Sequence, residues 1–136
     1  MRASGAIGRA DDVRVLVVDD HPAFRKALTS ALRLVGDIEV AGEAGGGVAA
    51  CEEVVNLEPD VVLMDLSMPD LSGIDAMKKI HETQPDLPIV ILTAHADDGV
   101  ERDAREAGAS GFLAKGTALQ DLVIVLHEAA RDEPAR

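Results

Sequence analysis

Three aspartates follow two apolar segments of the chain. Asp65 comes directly after Val61–Met64, and Asp19 and Asp20 come directly after Val13–Val18. Carboxylates that are held close together raise one another's pKa, so something cationic must offset their charge. A hard divalent ion in a pocket of three carboxylates meets this need and leaves one carboxylate free to react. The sequence therefore predicts a site for an ion such as Mg²⁺ built on these residues.

Five short apolar segments alternate with five amphipathic ones along the chain, and this alternation determines where the aspartates lie in the fold. Short β-branched segments that are apolar on both faces are typical of buried parallel strands. We expect strands at Val13–Val18, Ile38–Ala41, Val61–Met64, Ile89–Leu92 and Ser110–Leu113. We expect helices at Pro22–Val35, Val48–Leu57, Ile74–Glu82, Gly99–Ala107 and Ala118–Arg131.

This alternation predicts an α/β fold, a three-layer αβα sandwich around a five-stranded parallel sheet. Ligands of such sheets bind outside the carboxyl ends of the strands, near the point where the strand order reverses. Asp19, Asp20 and Asp65 are expected to meet there. The length of 136 residues suits one domain, which we place at residues 12–131 between an N-terminal tail, 1–11, and a C-terminal tail or linker start, 132–136.

Composition narrows the functional classes. The net charge of -12 argues against direct contact with nucleic acid or an anionic membrane. Cys51 is the only cysteine, so no disulfide and no cysteine-based metal cluster is expected. No segment is long and apolar enough to span a membrane, and residues 1–10 lack the apolar region of a secretory signal. We therefore expect a cytoplasmic protein.

From Val13 to Ala130 the chain resembles the receiver domain of two-component response regulators, which has a flavodoxin-like (βα)5 fold. Pro69 and Gly73 stand four and eight residues after Asp65, as in the family signature M-D-x-x-M-P-x-x-x-G. The other matching features are Asp19-Asp20 after the first strand, Asp65 after the third, Thr93 after the fourth, Phe112 in the fifth and Lys115 after it. Asp-His-Pro after the first strand is similar to the NarL/FixJ group of regulators.

The resemblance implies a phosphoacceptor switch in which Asp65 accepts a phosphoryl group from a histidine kinase. Asp20 and Asp65 would bind Mg²⁺ (or Mn²⁺) directly, Asp19 would hold a coordinated water, and the backbone carbonyl of Ser67 would be a further ligand. Lys115 would pair with Asp65 at rest and with a phosphoryl oxygen afterwards.

The resemblance also implies how phosphorylation acts. Thr93 would offer its hydroxyl to a phosphoryl oxygen, and the small Ala94 would leave room for the donor. Thr93 and Phe112 would move together as the switch. Ser67 and His95 stand where the family tunes the hydrolysis rate of the acyl phosphate.

His21 and the last helix each have two interpretations. His21 lies beside two carboxylates, which suggests a transition-metal ligand or a phosphohistidine, yet it also precedes Pro22 and could simply cap the first helix. His81 and His127 are expected on helix surfaces. The last helix carries more apolar residues than one buried face needs, so it is either a homodimer interface or a deeply packed helix; the candidates are Leu119, Leu122, Val123 and Leu126.

Three alternatives compete with a receiver that controls transcription through a separate DNA-binding domain. The first is a free-standing receiver that acts through protein partners. The second is a small Mg²⁺-dependent phosphotransferase or phosphatase, although Ser67 occupies the position of the second aspartate in its usual Asp-x-Asp pair. The third is a nucleotide-binding module, suggested by Gly45-Gly46-Gly47 but lacking the glycine-rich phosphate motifs.

Overall fold

The computed structural model describes residues 12–131 of the chain. The predicted tails, 1–11 and 132–136, lie outside the described residues. The strands are β1 (Val13–Val18), β2 (Ile38–Ala44), β3 (Val61–Met64), β4 (Ile89–Thr93) and β5 (Gly111–Ala114). The helices are α1 (Pro22–Arg33), α2 (Gly47–Leu57), α3 (Gly73–Thr83), α4 (Asp98–Glu106) and α5 (Leu119–Arg131).

All strand pairs are parallel, and the strand order is β2-β1-β3-β4-β5. The order reverses between β1 and β3, so the switch point lies at the carboxyl ends of these two neighbours. This is the predicted five-stranded parallel sheet, and the prediction of a doubly wound, flavodoxin-like fold is confirmed.

The core has two halves, one on each face of the sheet. Strand residues alternate between them, because successive side chains of a strand point to opposite faces. Leu16, Val62 and Ile91 pack with α2, α3 and α4, whereas Val17, Leu63 and Leu92 pack with α1 and α5. Both halves are aliphatic, as a sequence with only two phenylalanines and no other aromatic residue requires.

Some boundaries differ from the predicted ones. β2 continues to Ala44, because its register with β1 resumes after an irregularity opposite Val15 and Leu16. α1 ends at Arg33 rather than at Val35, because its last turn tightens: Val35 N donates to Leu32 O at 3.0 Å.

One face of the last helix is packed into the core. Leu122 and Leu126, offered above as interface candidates, are 3% and 0% exposed and belong to the core. Leu119 is 37% exposed and Val123 is half-buried. The prediction for Leu122 and Leu126 is wrong, because the α5 face that carries them closes the core over β1, β3 and β4.

Two histidines also differ from expectation. His127 is buried at 9% exposure and its Nε2 lies 3.2 Å from Asp37 Oδ2. His81 is half-buried, with Nε2 2.9 Å from the carbonyl oxygen of Leu87. Both side chains therefore join α-helices to neighbouring loops instead of lying free on the surface.

The three glycines at residues 45–47 allow the loop after β3 to pack against the start of α2. Gly47 N and Val48 N, at the start of α2, donate to the two carboxylate oxygens of Asp70 at 3.1 and 3.2 Å. A Cβ at Gly47 would lie 2.7 Å from the backbone carbonyl oxygen of Leu71, so the loop after β3 can approach this closely only a glycine. These hydrogen bonds, that from Val48 first, lower the pKa of Asp70. The helix end that a nucleotide phosphate would use is thus already capped.

No helix within residues 12–131 has both the length and the apolar character needed to cross a membrane.

Candidate functional site

The sheet brings the ends of β1, β3, β4 and β5 to one edge. Backbone hydrogen bonds continue past the strands: Asp65 N donates to Val18 O at 3.1 Å, and Lys115 N donates to Thr93 O at 2.9 Å. Asp19 and Asp65 therefore lie side by side, with Lys115 arriving from two strands away. The predicted meeting of these residues is what the strand order produces.

Alternation of side chains explains why Lys115 can reach both aspartates. Leu63 and Leu113 face the layer of α1 and α5, so Asp65 and Lys115, two residues further along, start from that same face. Phe24 on α1 supports the lysine there, with Nζ 4.5 Å from the centroid of its ring.

Lys115 offsets the charge of two buried carboxylates. Its Nζ lies 2.7 Å from Asp19 Oδ2 and 3.2 Å from Asp65 Oδ2, and both aspartates are 3% exposed. Burial alone would lower the pKa of Lys115, but its hydrogen bond to Asp19 and the charge of Asp65 outweigh burial and raise the pKa above 10.5. Lys115 therefore remains a cation throughout the physiological pH range.

The remaining carboxylate oxygens have different partners. Asp65 Oδ1 accepts from Leu66 N at 2.8 Å, and Asp19 Oδ1 accepts from His21 N at 2.9 Å. Asp20 Oδ1 is buried and makes no hydrogen bond within residues 12–131. A buried acceptor without a donor is costly, so this oxygen is the atom at the site that most needs a cation.

The donor set suits a divalent ion. Asp19, Asp20, His21 and Asp65 each offer one ligand atom, and these atoms lie within 4.8 Å of one another. Three of the four are carboxylate oxygens, which Mg²⁺ prefers, and Asp20 Oδ1 lacks a competing hydrogen bond. Ser67, whose carbonyl was predicted as a further ligand, is exposed two residues after Asp65.

Two residues that shape this edge were not singled out from the sequence. The Arg25 guanidinium donates to the carbonyl oxygen of Asp19 and to Glu43 Oε1, the latter at 3.0 Å, and so fixes the turn after β1. The signal was available: a helix that starts at Pro22 places Arg25 in its first turn, close to the preceding loop.

Phe24 is the second such residue, and its sequence signal was weaker. The sequence indicates only that Phe24 is one of the apolar residues of α1. In the structure its ring faces the ammonium group of Lys115. No spacing rule connects a position on α1 with one after β5.

Gly73 lets the loop after β3 fold back against the phosphoacceptor candidate. Gly73 N donates to Leu66 O at 2.8 Å, and a Cβ here would collide with the carbonyl oxygen of Asp65 and lie 2.8 Å from Leu66 Cα. Only glycine allows this approach, which gives a physical reason for the glycine in the signature.

Thr93 and Phe112 share one face of neighbouring strands. β4 and β5 pair Ile91 with Phe112 and Thr93 with Ala114, so the two side chains are diagonal neighbours. Thr93 is 1% exposed and its Oγ1 accepts from His95 N at 3.2 Å. Phe112 is half-buried in the half of the core formed by α2, α3 and α4.

Ala94 and His95 follow β4 and are both exposed. The predicted metal-binding, phosphoacceptor and phosphoryl-stabilising residues thus lie at one edge of the sheet, whereas Phe112 lies in the core next to β5.

A (βα)5 sheet with three aspartates and a bridging lysine at its carboxyl edge defines a receiver-type phosphoacceptor module rather than a classical enzyme. The chain belongs to the response regulator receiver domain family, whose profile matches residues 15–127. Members of this family interact with histidine kinases and phosphatases and generally bind Mg²⁺. The chain is therefore a receiver domain of a two-component system.

The relatives are regulators of NarL/FixJ type. The response regulator GacA of Pseudomonas aeruginosa is 35% identical over 116 residues, which are 85% of this chain and 54% of GacA. The transcriptional regulatory protein LiaR of Bacillus subtilis is 38% identical over 122 residues, 90% of this chain and 58% of LiaR. The chain spans about half the length of these curated relatives.

Among solved structures, the signal receiver domain of the response regulator NarL from Mycobacterium tuberculosis superposes with a TM-score of 0.84. It is 34% identical, and the alignment covers 90% of this chain and 99% of that domain. The resemblance to the NarL/FixJ group is thus confirmed in sequence and in fold.

The bridging role of Lys115 makes a stability prediction. Lys115→Met keeps an aliphatic side chain against Phe24 but leaves Asp19 and Asp65 as facing anions, so the free energy of unfolding in chelator should fall by about 3 kcal/mol. Urea unfolding followed by circular dichroism measures the difference in unfolding free energy.

The matched control is Lys78→Met, since Lys78 is exposed on α3. It should change the unfolding free energy by less than about 0.5 kcal/mol. A Lys115→Met protein as stable as the wild type in chelator would show that Lys115 does not neutralise the cluster.

Proposed function

We propose that Asp65 is the phosphoacceptor of this receiver domain. The observation that carries the proposal is the set of contacts of its carboxylate: Oδ2 faces the ammonium of Lys115, and Oδ1 accepts from the N–H of Leu66. This anion is buried and oriented by two donors, yet it lies at the switch point where ligands reach such sheets. Orientation and charge stabilisation are what phosphoryl transfer needs from a protein.

The transfer forms one bond and breaks another. A carboxylate oxygen of Asp65 attacks the phosphorus atom of a phosphohistidine in the kinase, a P–O bond forms, and the P–N bond breaks with its electron pair returning to the imidazole. Lys115 then shifts from the carboxylate to a phosphoryl oxygen, and the hydroxyl of Thr93 donates to another. Exposed Ala94 leaves the approach to this position open.

Asp20, Asp65 and the Ser67 carbonyl are the proposed direct ligands of Mg²⁺ or Mn²⁺, and Asp19 is the proposed holder of a coordinated water. The buried oxygen Oδ1 of Asp20, which makes no hydrogen bond within residues 12–131, supports its role as a direct ligand. When bound, the ion supplies positive charge against the phosphoryl oxygens. Lys115 would share that work, because it stays charged and stands beside both buried aspartates.

The same contacts support self-catalysed phosphorylation from small donors and self-catalysed loss of the phosphoryl group. Ser67 and His95 are exposed beside the site, so we propose that they set the access of the attacking water and hence the lifetime of the acyl phosphate.

Phosphorylation would act on the far side of the site through Thr93 and Phe112. In the structure Thr93 Oγ1 accepts a hydrogen bond from His95 N at 3.2 Å. Its move toward a phosphoryl oxygen would vacate space beside the diagonal neighbour Phe112, which is only half-buried and so can rotate. The face formed by α4, β5 and α5 would change shape in response.

The output we propose is control of transcription, since the curated relatives include the transcriptional regulatory protein LiaR, of which the matched residues make up 58%. A cognate sensor histidine kinase is the proposed upstream partner, and a homodimer the proposed active form. Leu119 and Val123 remain the interface candidates on α5, and exposed Ile124, at 54%, adds apolar surface next to them.

The phosphoacceptor assignment predicts a mass change. Incubation with acetyl phosphate and Mg²⁺ should add one phosphoryl group to the wild-type protein, and Asp65→Asn should add none, because an amide cannot form the acyl phosphate. Chelator should abolish the adduct. Intact-protein mass spectrometry gives the readout.

Asp86→Asn is the matched control, because Asp86 is exposed in the loop before β4, at the opposite edge of the sheet. It should be phosphorylated like the wild type. An adduct that persists in Asp65→Asn would refute the assignment.

The switch makes a separate prediction. Thr93→Ala should still accept a phosphoryl group at Asp65, but any self-association that phosphorylation causes in the wild type should be lost, because the hydroxyl that couples the site to Phe112 is gone. Sedimentation velocity with and without acetyl phosphate measures it. Phosphorylation-linked association that is intact in Thr93→Ala would contradict the relay.

A further inference from the structure

The turn between β1 and α1 carries Asp20, and the side chains of the turn do little to orient its carboxylate. Asp20 Oδ1 is buried and accepts no hydrogen bond from residues 12–131. The ring of His21, 3.3 Å away, is itself 65% exposed and makes no side-chain hydrogen bond to the start of α1. The direction in which the Asp20 carboxylate points therefore depends on how the backbone of the turn is held.

A side chain of α1 holds that backbone. Pairing of β1 with β2 extends to Asp19, whose N–H donates to Ala44 O at 3.1 Å. The carbonyl group of Asp19 belongs to the next peptide unit, which leads into Asp20, and its oxygen accepts a hydrogen bond from the Arg25 guanidinium. Because a peptide unit is planar, fixing this oxygen also fixes the direction in which the chain enters Asp20.

Arg25 is in turn tied to the sheet. Its Nε donates to Glu43 Oε1 at 3.0 Å. Glu43 on β2 pairs in register with Val17 on β1, whose side chain faces α1 and α5, so Glu43 starts from the face that meets the first turn of α1. The Arg25 and Glu43 side chains are 19% and 30% exposed, so solvent screens their ion pair less than one on the open surface. The rigid guanidinium fork thus joins the turn to β2.

We propose that Arg25 is a positioning residue for the divalent ion. By joining Glu43 to the carbonyl oxygen of Asp19, which we call the Arg25 bridge, it holds Asp20 in the place where its buried oxygen binds Mg²⁺. This inference rests on the proposed function, because it concerns the same metal site.

The positional effect of Arg25 and the effect of its charge have opposite signs. A cation near the pocket repels a divalent ion, so removing its charge would strengthen Mg²⁺ binding. Loss of the hydrogen bond that holds the turn would weaken Mg²⁺ binding instead, because the Asp20 carboxylate would then have to be ordered when the ion binds. The direction of the change therefore distinguishes the two.

The test uses Arg25→Met, which keeps a long unbranched side chain and removes every donor. The Kd for Mg²⁺, measured by NMR titration, should rise about 10-fold. The ratio of the variant and wild-type Kd values should persist in about 1 M KCl, where the Debye length is about 3 Å and charge effects through solvent are screened. In chelator, amide hydrogen exchange of Asp20 and His21 should become about 10-fold faster, since the turn opens more often.

Matched variants test the bridge itself. Arg33→Met removes the other arginine beside Glu43, whose Nη2 lies 3.9 Å from Oε2, and leaves the hydrogen bond of Arg25 to Asp19 in place. Its Kd for Mg²⁺ should stay within about a factor of two. Glu43→Gln keeps an oxygen that accepts from Arg25 Nε and should also bind Mg²⁺ like the wild type. Glu43→Leu removes that acceptor and should raise the Kd at least about threefold.

An Arg25→Met protein that binds Mg²⁺ as tightly as the wild type, or more tightly, would overturn the proposal. An equal loss of affinity in Arg33→Met would do the same. Failure of the proposed function gives a different result, namely wild-type protein that gains no phosphoryl group from acetyl phosphate at saturating Mg²⁺. A wild-type adduct on Asp65 together with unchanged Mg²⁺ affinity in Arg25→Met would refute the Arg25 bridge alone.

Discussion

The organisation of this domain depends on holding two buried carboxylates beside each other. Asp19 and Asp65 end neighbouring central strands, so the parallel pairing that builds the sheet also forces their charges together. Lys115 is the cation within the described residues that contacts both, and it comes from the sheet edge, across β4. Fold and function are therefore coupled, because the strand pairing that builds the sheet also places the two carboxylates whose charge Lys115 offsets.

That coupling explains the loops around the site. Arg25 holds the turn that carries Asp20, Gly73 lets the loop after β3 fold over Asp65, and Asp70 ties the same loop to the start of α2. Each contact restricts a backbone segment next to a carboxylate. In the proposed function, these restrictions would make phosphorylation of Asp65 produce a discrete change at Thr93 rather than a shift of the loops.

The sequence predicted the sheet well, because its strands are short, β-branched and apolar on both faces, and β-α alternation leaves few topologies. It also predicted that Asp19, Asp20 and Asp65 meet, since strand ends share an edge, and the family resemblance added Lys115 to them. It could not show that Lys115 lies closer to Asp19 than to Asp65, because that depends on where a long side chain settles.

Surface assignments on α5 were the weakest. Leu122 and Leu126 looked like surplus apolar surface, yet they fill the core, because periodicity shows an apolar face without its depth. The environments of two histidines were also not predictable from their sequence neighbours. His127 is buried against Asp37, and the ring of His21 faces the carboxylate of Asp19.

The central claim is that a phosphoryl-like group binds on Asp65 in a pocket that needs a divalent ion. Fluorine-19 NMR of beryllofluoride, which mimics the phosphoryl group, tests it most directly. Wild-type protein with Mg²⁺ should give protein-bound fluorine resonances that vanish on chelation and never appear in Asp65→Asn. Bound resonances in Asp65→Asn, or none in the wild type at saturating Mg²⁺ and beryllofluoride, would contradict the account.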